Sequence, residues 1–192
     1  MKRCIYCLDE CTDNATSCPQ CGFSGAENEI NPQNCLPIGT RLNNRYVVGG
    51  VSSKGKVFTS YYALDIQTRQ RVRISEYLNE KLIYRLPGEL IIKYNDERCR
   101  ARGDKEIAAY YSHYSRLCGV AESTILDFTD CFAENSTFYY VCSLPSGAPL
   151  SSLIGNGRAM SFSKAAFLLK PVVECALRLA QAGKWHGGIS PY

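Results

Sequence analysis

The sequence predicts an α+β fold: a five-stranded antiparallel sheet carrying one helix, leading into a helical layer and preceded by a small metal-held module. Three observations carry this prediction. Runs of β-branched and aromatic residues recur between polar turns over residues 45–142. A long stretch with apolar residues at helical spacing follows, over Ser161–Gly183. Two Cys-x-x-Cys pairs stand at the N-terminus.

A chain of 192 residues allows one medium domain, or one small domain plus a module. With 45% hydrophobic and 21% charged residues, the composition is globular and excludes a disordered chain. The net charge of +4 is mildly basic and by itself demands neither a nucleic acid nor an anionic membrane. Apolar runs such as Ala165–Leu169 are too short to cross a bilayer. The opening Met-Lys-Arg-Cys-Ile-Tyr-Cys lacks the apolar stretch of a secretion signal, so a soluble, cytoplasmic protein is expected.

Eleven cysteines are many for a reducing compartment, where disulfides are rare. Their spacing points to a metal instead. Cys4-Ile-Tyr-Cys7 and Cys18-Pro-Gln-Cys21 can each form a knuckle turn that aims two thiolates at one ion. Together they supply the four sulfurs of a closed tetrahedral zinc site. Gly22 suits the left-handed turn that closes the second knuckle. Residues 1–23 are too few and too polar to fold on a core of their own, and metal binding supplies the stability, on the order of 10 kcal/mol. Cys11 between the knuckles is a spare thiol or a substitute ligand. Cys35, Cys99, Cys118, Cys131, Cys142 and Cys175 lack ligand spacing and read as small buried hydrophobes.

Residues 24–34, rich in Asn, Gly and Glu, form a linker. Arg45–Val51 reads as the first strand, Lys56–Ala63 as the second and Arg71–Ser75 as the third, with a polar turn at Asp65–Gln70. Ile107–Leu117 reads as a helix with Ile107, Tyr110, Tyr111, Tyr114 and Leu117 along one side. Ile125–Phe132 and Thr137–Cys142 form a hairpin about Glu134-Asn135. After a hinge at Leu144–Gly147 comes the helix over 161–183. Ser161 or Ser163 caps it, Pro171 interrupts it, and its apolar stripe is Ala166, Leu169, Val172, Val173, Ala176, Leu177 and Ala180. The units are then 1–23, 24–34, 35–143 and 144–192.

This order and its local wording resemble the protein kinase fold, most of all bacterial Ser/Thr kinases, here behind a zinc ribbon. Leu36–Gly49 resembles the start of their first strand. Thr137–Cys142 resembles their fifth strand, with Cys142 as gatekeeper. Phe162–His186 resembles the helix before the catalytic loop, and His186-Gly-Gly-Ile-Ser-Pro191 stands where those kinases have His-Arg-Asp-Ile-Ser-Pro. The resemblance implies an N-lobe at 35–143 and the first helices of a C-lobe beyond it.

It also implies where the chemistry should lie. Anchored on Val57, the glycine-rich loop positions fall at Gly50, Ser52 and Gly55, keeping two glycines of three. The lysine of Val-Ala-Ile-Lys falls at Ser75, and the alanine lining the adenine slot at Arg73. The helix glutamate that pairs that lysine falls at His113, within about one turn. The catalytic aspartate falls at Gly188, and Tyr192 precedes the family's magnesium ligands.

The expectation is therefore a catalytically inactive, pseudokinase-like module holding structural zinc at Cys4, Cys7, Cys18 and Cys21, without ATP or magnesium. It would act through a protein partner, or a second copy, on the apolar stripe of the 161–183 helix. An alternative is the N-terminal part of an active, divergent kinase in which Lys54 or Lys56 reaches the phosphates. A third is a nucleic-acid-binding ribbon. Against it, residues 1–23 carry Lys2 and Arg3 opposite Asp9, Glu10 and Asp13, and Arg69, Arg71 and Arg73 read as a solvated strand face.

Overall fold

The structure is a computed structural model that describes residues 2–13, 16–24, 31–118, 128–144, 150–154, 160–181 and 183. Strands β1 (Lys2–Arg3) and β2 (Glu10–Cys11) pair as a minimal hairpin at the N-terminus. The main sheet runs in the order β3 (Arg41–Leu42), β4 (Tyr46–Lys54), β5 (Phe58–Asp65), β6 (Arg71–Tyr77), β10 (Thr137–Ser143), β9 (Phe128–Glu134), antiparallel throughout. The five expected strands are there, and the two-residue β3 extends the edge beside β4. A second small hairpin pairs β7 (Ile83–Tyr84) with β8 (Lys93–Tyr94).

The strands alternate, so the sheet has two dry faces. On one, Tyr46, Val48, Tyr61, Ala63, Val72, Ile74, Tyr139 and Val141 pack beneath Cys35, Leu36 and Leu42, with no helix in this cluster among the described residues. On the other, Tyr77, Phe138, Tyr140 and Cys142 pack with Phe58 against α1 (Glu97–Leu117). Tyr110 and Tyr114 of α1 meet the Phe58 ring edge-on at 5.3 and 5.5 Å, and Tyr114 stacks on Tyr140 at 4.1 Å. Edge-to-face and offset-stacked geometries suit the ring quadrupoles and fill this interface without polar groups in its centre.

Helix α1 starts ten residues before the expected Ile107. Asp96 caps it by accepting from the Cys99 N–H at 2.7 Å, and Arg100–Glu97 and Arg102–Glu106 pairs brace its first turns. Gly103 lets it approach Tyr94: a Cβ there would lie 2.6 Å from the ring. After α2 (Leu150–Ile154), α3 spans Phe162–Gln181 with Pro171 inside it and Gly183 in left-handed conformation just beyond. Its covered side runs through Ala165, Leu168, Val172, Cys175 and Leu179. Of the expected stripe, Leu169, Val173 and Leu177 are exposed instead, as are Phe162 (87%) and Phe167 (77%). Among the described residues, no helix is long and apolar enough to cross a membrane.

Candidate functional site: a four-cysteine centre and the sheet face beneath it

The two knuckles bring Cys4, Cys7, Cys18 and Cys21 together, with all four Sγ atoms within 4.8 Å of one another. Left-handed Leu8 (φ 60°) and Gly22 (φ 74°) turn the chain after each pair. The Leu8 N–H donates to the Cys4 carbonyl and the Gly22 N–H to the Cys18 carbonyl. Cys4 and Cys21 lie 3.7 Å apart, and Cys7 and Cys18 3.6 Å. A tetrahedron with metal–sulfur bonds of about 2.3 Å has sulfur–sulfur edges of about 3.8 Å, so the residues fit a thiolate-bound ion. Cys11 stands outside the four and donates its thiol to Cys18 at 3.5 Å. Burial opposes the Cys18 thiolate, yet the Cys21 and Gln20 backbone N–H groups and the Cys11 and Cys21 thiols draw it down to about 6. Burial pushes Cys7 up strongly.

The ribbon lies on the main sheet. The Tyr6 carbonyl accepts the Gly50 N–H at 2.7 Å, and the Tyr6 hydroxyl donates to the Val51 carbonyl at 2.9 Å. The Tyr6 ring stacks on Phe23 at 5.3 Å and tilts against Tyr62 at 6.4 Å. Asp9 pairs with Arg71 at 2.6 Å. Within the expected linker 24–34, Asn31 is instead buried and holds β4 from its free edge, donating to the Gly49 and Leu36 carbonyls and accepting the Val51 N–H. The register of β4 against β5 shifts at Val48–Val51, the bulge that contains Gly49 and Gly50.

The face of β6 that carries Arg71 also carries Arg73, Ser75 and Tyr77, since side chains alternate. Cross-strand pairing arranges it in rows. Arg73 lies between Tyr62 and Cys142, and Ser75 between Ser60 and Tyr140. The predicted positions Arg73 and Cys142 are therefore neighbours, with Ser75 one row away. Ser75 is fully buried, bonded to the Ser60 hydroxyl at 2.8 Å and set against the Tyr140 phenol. His113 is half-buried on α1, beside Tyr114. The α1 side chain that reaches the Ser75 row is Tyr114, through its stack on Tyr140. Gly55 makes the β4–β5 turn, its N–H donating to the Phe58 carbonyl at 2.8 Å. The Ser52 hydroxyl is buried without a partner among the described residues. Lys54 pairs with Glu80 at 2.7 Å, and Lys56 is exposed. Gly188 and the hinge residues 145–147 lie outside the described residues. Arg69 sits in the β5–β6 turn with φ 58° and is not on the strand face.

One position along β6, on the opposite face, stands a charged network that the sequence did not reveal. Glu76 and Arg85 are 0% and 1% exposed and form a bidentate pair. Tyr61 and Tyr139 each donate to the Glu76 carboxylate at 2.8 Å. Arg85 also donates to the Asn34 and Leu90 carbonyls. Every lone pair is engaged, the condition under which a buried ion pair is tolerated.

No protein-family model matches the chain, and a search of curated proteins finds no match. Solved structures do. The chain is similar to the apo form of PpkA-294, with a TM-score of 0.72 and 24% identity over 82% of this chain and 56% of that one. It is also similar to Rad53 1–466 in complex with AMP-PNP, with a TM-score of 0.55 and 11% identity over 77% of this chain and 33% of that one. The chain thus spans about half of the first and a third of the second. The fold is kinase-like, α+β, with a cysteine cluster at its N-terminus that can hold a metal ion.

Proposed function

We propose that this chain is a catalytically inactive, kinase-like regulatory module with a zinc-bound ribbon. The observation that carries this reading is the state of Ser75. At the position the resemblance gives to the phosphate-gripping lysine, a buried hydroxyl is bonded to Ser60 and packed against Tyr140 and Tyr114. The carboxylates near it are already engaged: Glu106 of α1, on this face beside Tyr77, accepts from Tyr77 and Asn79 and pairs with Arg102. The nearest acid along the strand, Glu76, points the other way and is fully engaged by Arg85, Tyr61 and Tyr139. Among the described residues, then, the face has no lysine beside Ser75 and no acid left free to pair with one, and Arg73 occupies the slot where kinases keep a small residue for the base.

Zinc suits the four thiolates, and its role is structural: four protein ligands close the coordination sphere and leave no position for substrate. The exposed apolar residues of α3 are the surface for a protein partner or a second copy. The test is phosphate transfer from labelled ATP to a generic basic protein, with magnesium, using the zinc-loaded chain. The reading expects none above background. Transfer abolished by Lys56→Ala would establish instead a divergent kinase with a substitute lysine.

A further inference from the structure

The ribbon covers part of the sheet face just described, and β4 is built to accept it. A Cβ on Gly49 would lie 2.3 Å from the Tyr6 carbonyl oxygen, and one on Gly50 2.3 Å from the Tyr6 ring. Real Cβ contacts are never so short, so the paired glycines are the room the ribbon needs. Its contacts fall on the Arg71–Arg73–Ser75 face: Asp9 on Arg71, and Tyr6 on Tyr62, which pairs across the strands with Arg73. To this face the ribbon offers a planar ring, a carbonyl acceptor on the Gly50 N–H, and a carboxylate on a guanidinium. An arginine and a backbone N–H are donors that an oxyanion also takes. The face has further donor capacity, because the Nε atoms of Arg71 and Arg73 are buried without hydrogen-bond partners among the described residues.

We propose that the ribbon is a zinc-dependent internal occupant of this face, and that a nucleoside triphosphate competes with it for the Arg71 and Arg73 donors. The proposal rests on the kinase-like reading above, which makes this the nucleotide face. Metal controls it because Tyr6 lies between the ligands Cys4 and Cys7, and Asp9 two residues beyond them. Loss of the ion unties the knuckle that aims both side chains at the sheet. While the ribbon is docked, the competent fraction is small and the apparent affinity falls by that fraction. Binding to the uncovered face needs no magnesium, since its donors are guanidinium and amide groups.

The test uses the full chain without magnesium: zinc-loaded wild type, the zinc-loaded double variant Tyr6→Ala/Asp9→Ala, and wild type treated with a zinc-selective chelator. Amide hydrogen exchange at Gly50 and Val51 reports docking, and fluorescence polarisation of an N-methylanthraniloyl ATP reports binding. The proposal expects exchange at Gly50 to rise by about tenfold or more, and the ATP probe to bind about tenfold or more tighter, in both altered samples. Unchanged exchange in both would overturn the docking. Faster exchange with unchanged probe affinity would overturn the competition. Neither result touches the inactive-kinase reading, which fails separately if the zinc-loaded wild type transfers phosphate.

Discussion

Ser75 and Glu76 are adjacent, equally buried, and on opposite faces of one strand. On the face of Glu76 the fold holds a complete charged network: a carboxylate, a guanidinium and two phenols. Around Ser75 it holds two hydroxyls and a stack of rings, with the guanidinium groups of Arg73 and Arg71 further along the same face. Charge is expensive to bury and survives only where every partner is present. This protein therefore keeps buried charge where it ties Asn34 and the 85–90 loop to the sheet. At Ser75 itself, where the kinase resemblance would put a lysine, it has a hydroxyl. On the inactive reading proposed above, the difference teaches that this architecture serves by its shape.

The comparison can be broken from either side. Arg85→Ala should produce the largest loss, about 3–5 kcal/mol by denaturant unfolding, because Glu76 is left buried and unpaired. A cost under 1 kcal/mol would mean that water reaches the pair. Ser75→Lys restores the family's residue in name only. With Glu106 already held by Tyr77, Asn79 and Arg102, the ammonium should cost about 2–4 kcal/mol and bring no magnesium-dependent ATP binding, read by thermal shift.

A smaller effect comes from Asp65, which accepts from Arg45 at 3.0 and 2.7 Å. Arg45 first of all, then the Gln67 and Thr68 N–H groups against the opposing effect of burial, hold its carboxyl down at about 2. A carboxyl depressed in the folded state contributes stability above its unfolded value near 4 and loses it as pH falls from about 4 to about 2. Asp65→Asn should therefore cost on the order of 1–2 kcal/mol at pH 6, with the gap from wild type narrowing below pH 4. Smallest is Ser60→Ala, at about 1 kcal/mol. The Ser60→Ala/Ser75→Ala double variant should cost less than the two single losses added, because it removes both partners at once.

The readable parts of the chain were those set by local sequence. The four cysteines could be found because knuckle spacing is a property of four residues at a time. The strands could be found by alternation, though β4 continues through Ser52–Lys54, which carry no strand signal and are held by pairing with Thr59 and Ser60. The first half of α1 was hidden because Glu97–Glu106 is mostly charged and is fixed by a cap and ion pairs rather than by an apolar stripe. The ribbon's seat was unreadable: it joins residues 6–9 to residues 49–71, and Gly49-Gly50 is its only trace in the sequence. Arg85 read as an ordinary loop arginine, since nothing nearby in sequence announces a buried partner nine positions earlier.

The most direct test is isothermal titration of the zinc-loaded wild-type chain with ATP and magnesium, repeated with ATP alone. The account predicts no magnesium-dependent heat up to millimolar nucleotide, because among the described residues the Ser75 face has no lysine–carboxylate pair to grip the complex. Saturable binding that requires magnesium would contradict it.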